Sequence, residues 1–355
     1  MTEPRRVNRG NIQHKLEDII IIGLCAIVCG GEDFADMEDF GREREEWLGE
    51  FLELPHGIPD SDTFRRLFER LNPQELSQCL REWLEAERAS RAVIAVDGKT
   101  MRGSGNAQHK PYHVVSAFVA ENQITLGELM VNEKSSEITA VPELLALLDI
   151  EDAIVTADAM SCQKTIAETI IHKKADYVLS LKENQPRLLE EAADYFAECS
   201  EGITETITLE KDHGRIEHRH YRLLTSLEWL EQRPEWCGLR SLGQVCTTVT
   251  CGENTRMEKR YYITSLTDVT EFAGAVRKHW SIENQLHWCL DVLFREDASR
   301  ARKDNSPLNL NILRKQALSL LNAAKYGRLS KKRMMFKAAL NPDVLLSVLF
   351  GASGA

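Results

Sequence analysis

The chain has 355 residues, enough to bury a full core and to form more than one domain, with 43% hydrophobic residues, 28% charged residues and a formal net charge of −11. Its longest apolar run, Ile19 to Cys29, is about half of the roughly 20 residues a membrane span needs and contains Gly23, so it reads as a buried helix, with no membrane partner. The opening Met1-Thr2-Glu3-Pro4-Arg5-Arg6 lacks the apolar segment and small-residue cleavage site of a signal peptide, which makes a cytoplasmic location the expectation. Nine scattered cysteines, with no Cys-x-x-Cys pair, read as free thiols and not as disulfides or a zinc site. The net charge argues against uniform coating by nucleic acid, yet charge is unevenly placed. Residues 1–90 hold 11 Lys+Arg against 20 Asp+Glu, whereas residues 295–337 hold 12 against 3, a local excess able to meet phosphates.

In chain order, residues 11–90 read as helical, giving an all-helical N-terminal domain over 1–90. An acidic segment, Glu32 to Glu50, leads to the turn-rich loop His56-Gly57-Ile58-Pro59-Asp60-Ser61-Asp62, which ends in N-cap residues. Helices over 62–71 and 73–88 follow, the second starting at Pro73. Such a pair permits a helix-turn-helix, although most pairs of this length simply pack.

At Arg91 the pattern changes. Ala92 to Lys99, His113 to Val119 and Ile124 to Val131 are β-branched, apolar runs separated by turn residues, the pattern of an antiparallel meander. A helix over 138–148, a strand over 153–158, a helix over 161–173 and a strand over 176–182 then alternate as parallel pairing requires. Three antiparallel strands followed by a βαβ unit is the order of an RNase H-like fold, here expected over 91–300. A helix over 186–200 precedes a β-rich insertion at about 203–265. Beyond it, Ile282, Leu286, Cys289, Leu290 and Leu293 form one apolar stripe of an α-helix that carries Glu283 off the stripe. A basic helical C-terminal segment, 301–355, has helices expected over 308–325 and 331–340.

Three carboxylates stand where such a fold can gather them: Asp97 at the end of the first strand, Asp158 at the end of the fourth, and Glu283 on the later helix. The first and fourth strands are neighbours in this fold, so their terminal carboxylates fall side by side. Hard oxygen ligands on rigid elements suit Mg²⁺, with Mn²⁺ as a substitute. Two such ions suit in-line displacement at a phosphodiester, the chemistry of nucleases and strand transfer. Each residue also has a plainer reading: Asp97-Gly98 as a hairpin turn, Asp158 as a helix cap, Glu283 as a solvated side chain. A rival zinc site on His279, Glu283 and His287 is disfavoured by length, although one of the two histidines could still assist. The two histidines are eight residues apart, about 12 Å along a straight helix, against Zn–N bonds of about 2 Å. Trp280 and Trp288 read as core residues before a base-stacking platform.

Four ordered blocks carry a resemblance: Ile94-Ala95-Val96-Asp97-Gly98-Lys99-Thr100-Met101-Arg102-Gly103-Ser104, Leu179-Ser180-Leu181-Lys182-Glu183-Asn184-Gln185-Pro186, His213-Gly214-Arg215-Ile216-Glu217-His218-Arg219, and the run from His279 to Val292. They resemble the signature blocks of the bacterial ISAs-type DDE transposases, which include the H-repeat-associated proteins. Gly57-Ile58-Pro59-Asp60-Ser61-Asp62-Thr63-Phe64 is similar to the domain that precedes the catalytic domain there. The resemblance covers roughly residues 11–325. It implies an insertion-sequence transposase with a DDE triad of Asp97, Asp158 and Glu283, using Mg²⁺ to cut double-stranded DNA at element ends and join it to a target. It also implies a homodimer on DNA and association with the nucleoid when bound. Lys182, Arg215, Arg277 and Lys278 become candidates for phosphate contacts. Related enzymes often carry a Tyr-Arg-Glu-Lys pattern around the catalytic Glu, and here the matching positions hold Val276, His279 and Leu290. A nuclease that cuts without joining, and a non-catalytic DNA-binding relic, are the alternatives.

Overall fold

The structure, a computed structural model, describes residues 1–5, 12–84, 90–106, 109–131, 137–199, 201–212, 214–324 and 329–351. His213, the last residues of the helix expected over 73–88, and the end of that expected over 308–325 lie outside the described residues. The N-terminal apolar run folds as α1 (Leu16–Val28), with almost every side chain buried. It is followed by α2 (Phe34–Glu43), whose first N–H groups are capped by the Asp33 carboxylate, α3 (Glu45–Leu48), α4 (Ser61–Arg70), capped by Asp60, and α5 (Pro73–Leu84). No helix among the described residues is long and apolar enough to cross a membrane.

The meander forms as expected from β1 (Val93–Thr100), β2 (His113–Val119) and β3 (Ile124–Val131), each antiparallel to the next. After α6 (Glu137–Leu147), β4 (Ile154–Ala157) pairs parallel to β1; after α7 (Lys164–His172), β5 (Asp176–Leu181) pairs parallel to β4. This is the RNase H-like arrangement. Then α8 (Pro186–Glu198) leads into β6 (Ile203–Asp212), β7 (Arg215–Leu224), β8 (Ser241–Cys251) and β9 (Asn254–Thr264). These inserted strands do not form a sheet of their own. β9 pairs antiparallel with β5, giving one nine-stranded sheet in the order β3-β2-β1-β4-β5-β9-β8-β7-β6. β5 would otherwise have been an unpaired edge, and β9 satisfies its backbone groups.

After the sheet come α9 (Val269–His279), a π-helical turn (Ile282–His287), α10 (Trp288–Val292), α11 (Ser306–Ala323), α12 (Lys331–Leu340) and a further helix, α13 (Pro342–Phe350), absent from the sequence reading. Successive β1 side chains face opposite sides of the sheet. Ile94 and Val96 join the core under α6, α7 and α8, while Val93 packs with α9 and Ala95 shares a core with the terminal helices. That last core contains α1, α4, α11, α12 and α13 together with Ile282, Leu286, Cys289 and Leu290, so the two ends of the chain close over the segment bearing Glu283.

The basic C-terminal excess is partly internal. Arg314 and Lys315 of α11 are buried: the Lys315 ammonium donates to Ser116 Oγ at 2.8 Å and pairs with the Glu128 carboxylate at 3.3 Å, and Arg314 lies 3.8 Å from the buried Glu296. Removing one partner of such a pair strands the other charge in a poor solvent. Lys315→Met is therefore expected to lower stability by about 3–5 kcal/mol, and Lys315→Met with Glu128→Gln to recover a large part of the loss, both measured by urea unfolding.

Candidate active site

The parallel pairing of β1 with β4 runs from Val93 opposite Ile154 to Val96 opposite Ala157, and the next residue on each chain is a carboxylate, Asp97 and Asp158. Asp97 is not the last residue of its strand, as the sequence suggested. β1 continues to Thr100 against β2, and Asp97 marks the point where β4 leaves the sheet. Asp158 begins the turn toward α7, where its Oδ1 accepts the Ser161 N–H at 3.2 Å.

Glu283 arrives on the π-helical turn, not on the regular α-helix expected. The Trp288 N–H bonds to the Glu283 carbonyl five residues back, while Ile282, Leu286, Cys289 and Leu290 are buried as the apolar stripe requires. Single π turns of this kind are uncommon and are enriched at functional sites. Here Glu283 and His287 flank Asp97: His287 Nδ1 lies 3.7 Å from Asp97 Oδ2 and 3.7 Å from Glu283 Oε2. One ligand atom from each of Asp97, Glu283 and His287 falls within 4.8 Å of the others, a grouping that could hold a metal ion.

The electrostatics point the same way. The Asp97 side chain is only 17% exposed; burial, then the charge of Glu283, push its carboxyl up to about 8, with Asp158 adding to the repulsion. Glu283, 52% exposed, is held well below the usual range by the neighbouring His287 ring. His279 sits on the other side, its Nδ1 2.9 Å from Thr156 Oγ1, and burial pushes it down to about 4, which leaves it neutral at pH 7. The buried Nε2 of His287 has no hydrogen-bond partner among the described residues. The carboxylates are hard oxygen donors and the imidazole a borderline one, and a divalent cation would relieve the repulsion between the carboxylates. The residues present fit such an ion.

The basic candidates scatter. Exposed Lys182 lines a notch of about 150 Å³ beside Asp158, together with Glu258, Arg260, His279 and Trp280. Arg277 makes a two-pronged pair with Glu210 at 2.8 and 2.9 Å, Lys278 pairs with Glu121 at 2.8 Å, and Arg215 pairs with Glu217. Trp280 and Trp288 are 40% and 55% exposed, contrary to their reading as core, and the Arg260 guanidinium stacks 4.8 Å from the Trp280 ring centroid. The sequence reading missed His287 and Arg260. The structure brings His287 to Asp97 and Glu283, while His279 lines the notch beside Asp158.

These features define an RNase H-like protein with an acidic centre where β1 and β4 part. The chain belongs to the DDE transposase family: "Transposase DDE domain" matches residues 88–320, and "DDE_Tnp_1-associated" matches residues 1–84. It is 39% identical over 357 residues to "Putative transposase YncI" of Escherichia coli O157:H7, covering 97% of this chain and 92% of that one. It is 36% identical over 358 residues to "H repeat-associated putative transposase YhhI" of Escherichia coli strain K12, covering 96% and 94%. A cryo-EM structure of the piggyBac transposase synaptic complex with hairpin DNA aligns at a TM-score of 0.45 and 11% identity, over 96% of this chain and 73% of that one.

The raised Asp97 carboxyl means that the folded, metal-free state holds this proton more tightly than the unfolded state does. Its contribution to stability is full below the unfolded value, near 4, and is lost as pH rises through about 8. Over that window the melting temperature of metal-free wild type is expected to fall relative to Asp97→Asn. Mg²⁺ should raise the wild-type melting temperature and not that of the variant, which differential scanning calorimetry would read directly.

Proposed function

We propose that this protein is an insertion-sequence transposase that cleaves DNA at element ends and transfers the freed strand into target DNA. The observation that supports the reading is the meeting of Asp97, Glu283 and His287 within 4.8 Å, next to the end of the β1–β4 ladder, where Asp158 follows the last paired residue of β4. Asp97, Asp158 and Glu283 would hold the metal, Mg²⁺ by preference and Mn²⁺ as a substitute. When bound, such ions activate an attacking oxygen and stabilise the leaving oxygen of an in-line phosphodiester displacement.

The protein's own part is placement. The β1–β4 ladder ends at Val96 and Ala157, one residue before Asp97 and Asp158, and the π turn presents Glu283 at the protein surface, half exposed, where a DNA strand can reach it. His287 Nδ1 lies 3.7 Å from both Asp97 and Glu283, between the two carboxylates; His279, neutral and tied to Thr156, lines the notch beside Asp158 without adding charge. In this reading Lys182, beside Asp158, contacts a phosphate next to the scissile one. Arg215, Arg277 and Lys278 contact the duplex by exchanging their present carboxylate partners for phosphates. Residues 1–90 serve as the helical accessory domain, 91–300 as the catalytic domain and 301–355 as its C-terminal helical cover. Pairing of two DNA ends makes the working assembly a homodimer on DNA, acting in the cytoplasm at the nucleoid.

Asp97→Asn, Asp158→Asn and Glu283→Gln are each expected to remove Mg²⁺-dependent nicking of a duplex carrying the element end while leaving gel-shift binding largely intact. Near-wild-type nicking by any one of them would refute that residue's role. Supplying a precut 3′-OH end separates joining from cutting, because a nuclease without transferase activity yields no joined product.

A further inference from the structure

The metal-site reading uses Asp97 but leaves the rest of the block Asp97-Gly98-Lys99-Thr100-Met101-Arg102-Gly103-Ser104 unexplained. In the structure that block grips the segment after Glu283. The Lys99 ammonium, 11% exposed, lies 2.7 Å from Asp291 Oδ1, 3.3 Å from Glu296 Oε2 and 3.5 Å from Asp297 Oδ1. The Arg102 N–H donates to Asp297 Oδ1 at 3.2 Å, and Arg302 Nε donates to the Gly103 carbonyl at 2.9 Å. A side chain at Gly103 would collide with the Ser299 and Asp297 carbonyls, so this close approach requires glycine.

The spacing of the contacts matters more than their number. Asp97 and Lys99 are two residues apart on one face of β1, an advance of about 6.6 Å. His287 and Asp291 are four residues apart on the helical segment, an advance of about 6 Å. Asp97 meets His287 and Lys99 meets Asp291, so strand and helix engage like two racks with matching teeth. A slip of the helix by one turn would break both contacts and carry Glu283 away from Asp97.

We propose that Lys99 is a positioning residue: through Asp291 it locks the register of the Glu283 segment on β1 and so sets the distance between the two carboxylates of the metal site. The inference rests on the metal-site reading and goes beyond it, since the partners of Lys99 are Asp291, Glu296 and Asp297 and not the proposed metal ligands. Its effect is to hold Glu283 in place before a metal arrives.

The test is Mn²⁺ binding to the full chain, followed by Mn²⁺ electron paramagnetic resonance, with amide exchange of residues 288–293 in metal-free protein as the second readout. Lys99→Met and Asp291→Asn are expected to weaken Mn²⁺ affinity about tenfold or more, as loss of a supporting contact does at metal sites, and to speed exchange in that segment. Lys99→Arg should recover part of both. Asp291→Asn leaves Lys99 paired with Glu296 and Asp297, so it reports on register even where Lys99→Met fails to fold. Wild-type affinity and exchange in Asp291→Asn, or in folded Lys99→Met, overturn the positioning role while leaving the metal site standing. Absence of Mn²⁺ binding by wild type, or binding unchanged by Glu283→Gln, overturns the metal-site reading and this inference with it.

Discussion

Two carboxylates placed at adjacent positions of neighbouring strands repel each other, and a third brought up from a helix raises the cost further. The fold bears that cost because the strands beneath are held on both faces. Ile94 and Val96 are sealed under α6, α7 and α8, and Ala95 under the joined N- and C-terminal helices. Asp97, paired with Ser116 of β2, is thereby fixed just beyond the end of the β1–β4 ladder. Its carboxyl responds electrostatically, through a raised proton affinity, because it cannot respond by moving. A site of this kind is poised for a cation.

The same packing explains why the chain's ends belong to the site's support. α1 and α11 lie in one core with the buried side of the π turn, so residues from opposite ends of the chain back the segment that carries Glu283. Within that layer the charges are paired internally: Lys315 with Glu128 and Ser116, and Glu296 with Lys99 and Arg314. Such pairs add little net stability over apolar packing, but they penalise any shift that separates them. They confer a single register on helices that apolar contacts alone would let slide.

The three acidic positions could be singled out from the sequence because the signals are local: an apolar run closing in Asp-Gly, a second closing in Asp, and a carboxylate off an apolar stripe. The parallel register of β1 and β4 follows from strand order and met the expectation. What the residues did not disclose was the π turn. An apolar stripe at steps of four and three is compatible with either helix type, and only the neighbouring strand chooses between them. His287 was hidden for a related reason, since its value depends on a carboxylate 190 residues earlier in the chain. Trp280 and Trp288 were misread because an aromatic residue on an amphipathic helix is usually core, and here that helix has an open side.

The sequence by itself determined most of the strands and helices, the RNase H-like order of strands and the three acidic positions, because these depend on periodicity and turn chemistry over short stretches. Only the tertiary structure decided that the inserted strands extend the sheet past β5, that Arg314 and Lys315 turn inward, and that β1 and the Glu283 segment meet in register. Those outcomes depend on backbone groups seeking partners and buried charges seeking counter-charges far away in the chain. A pattern along one strand or one helix carries no record of which distant partner will satisfy it.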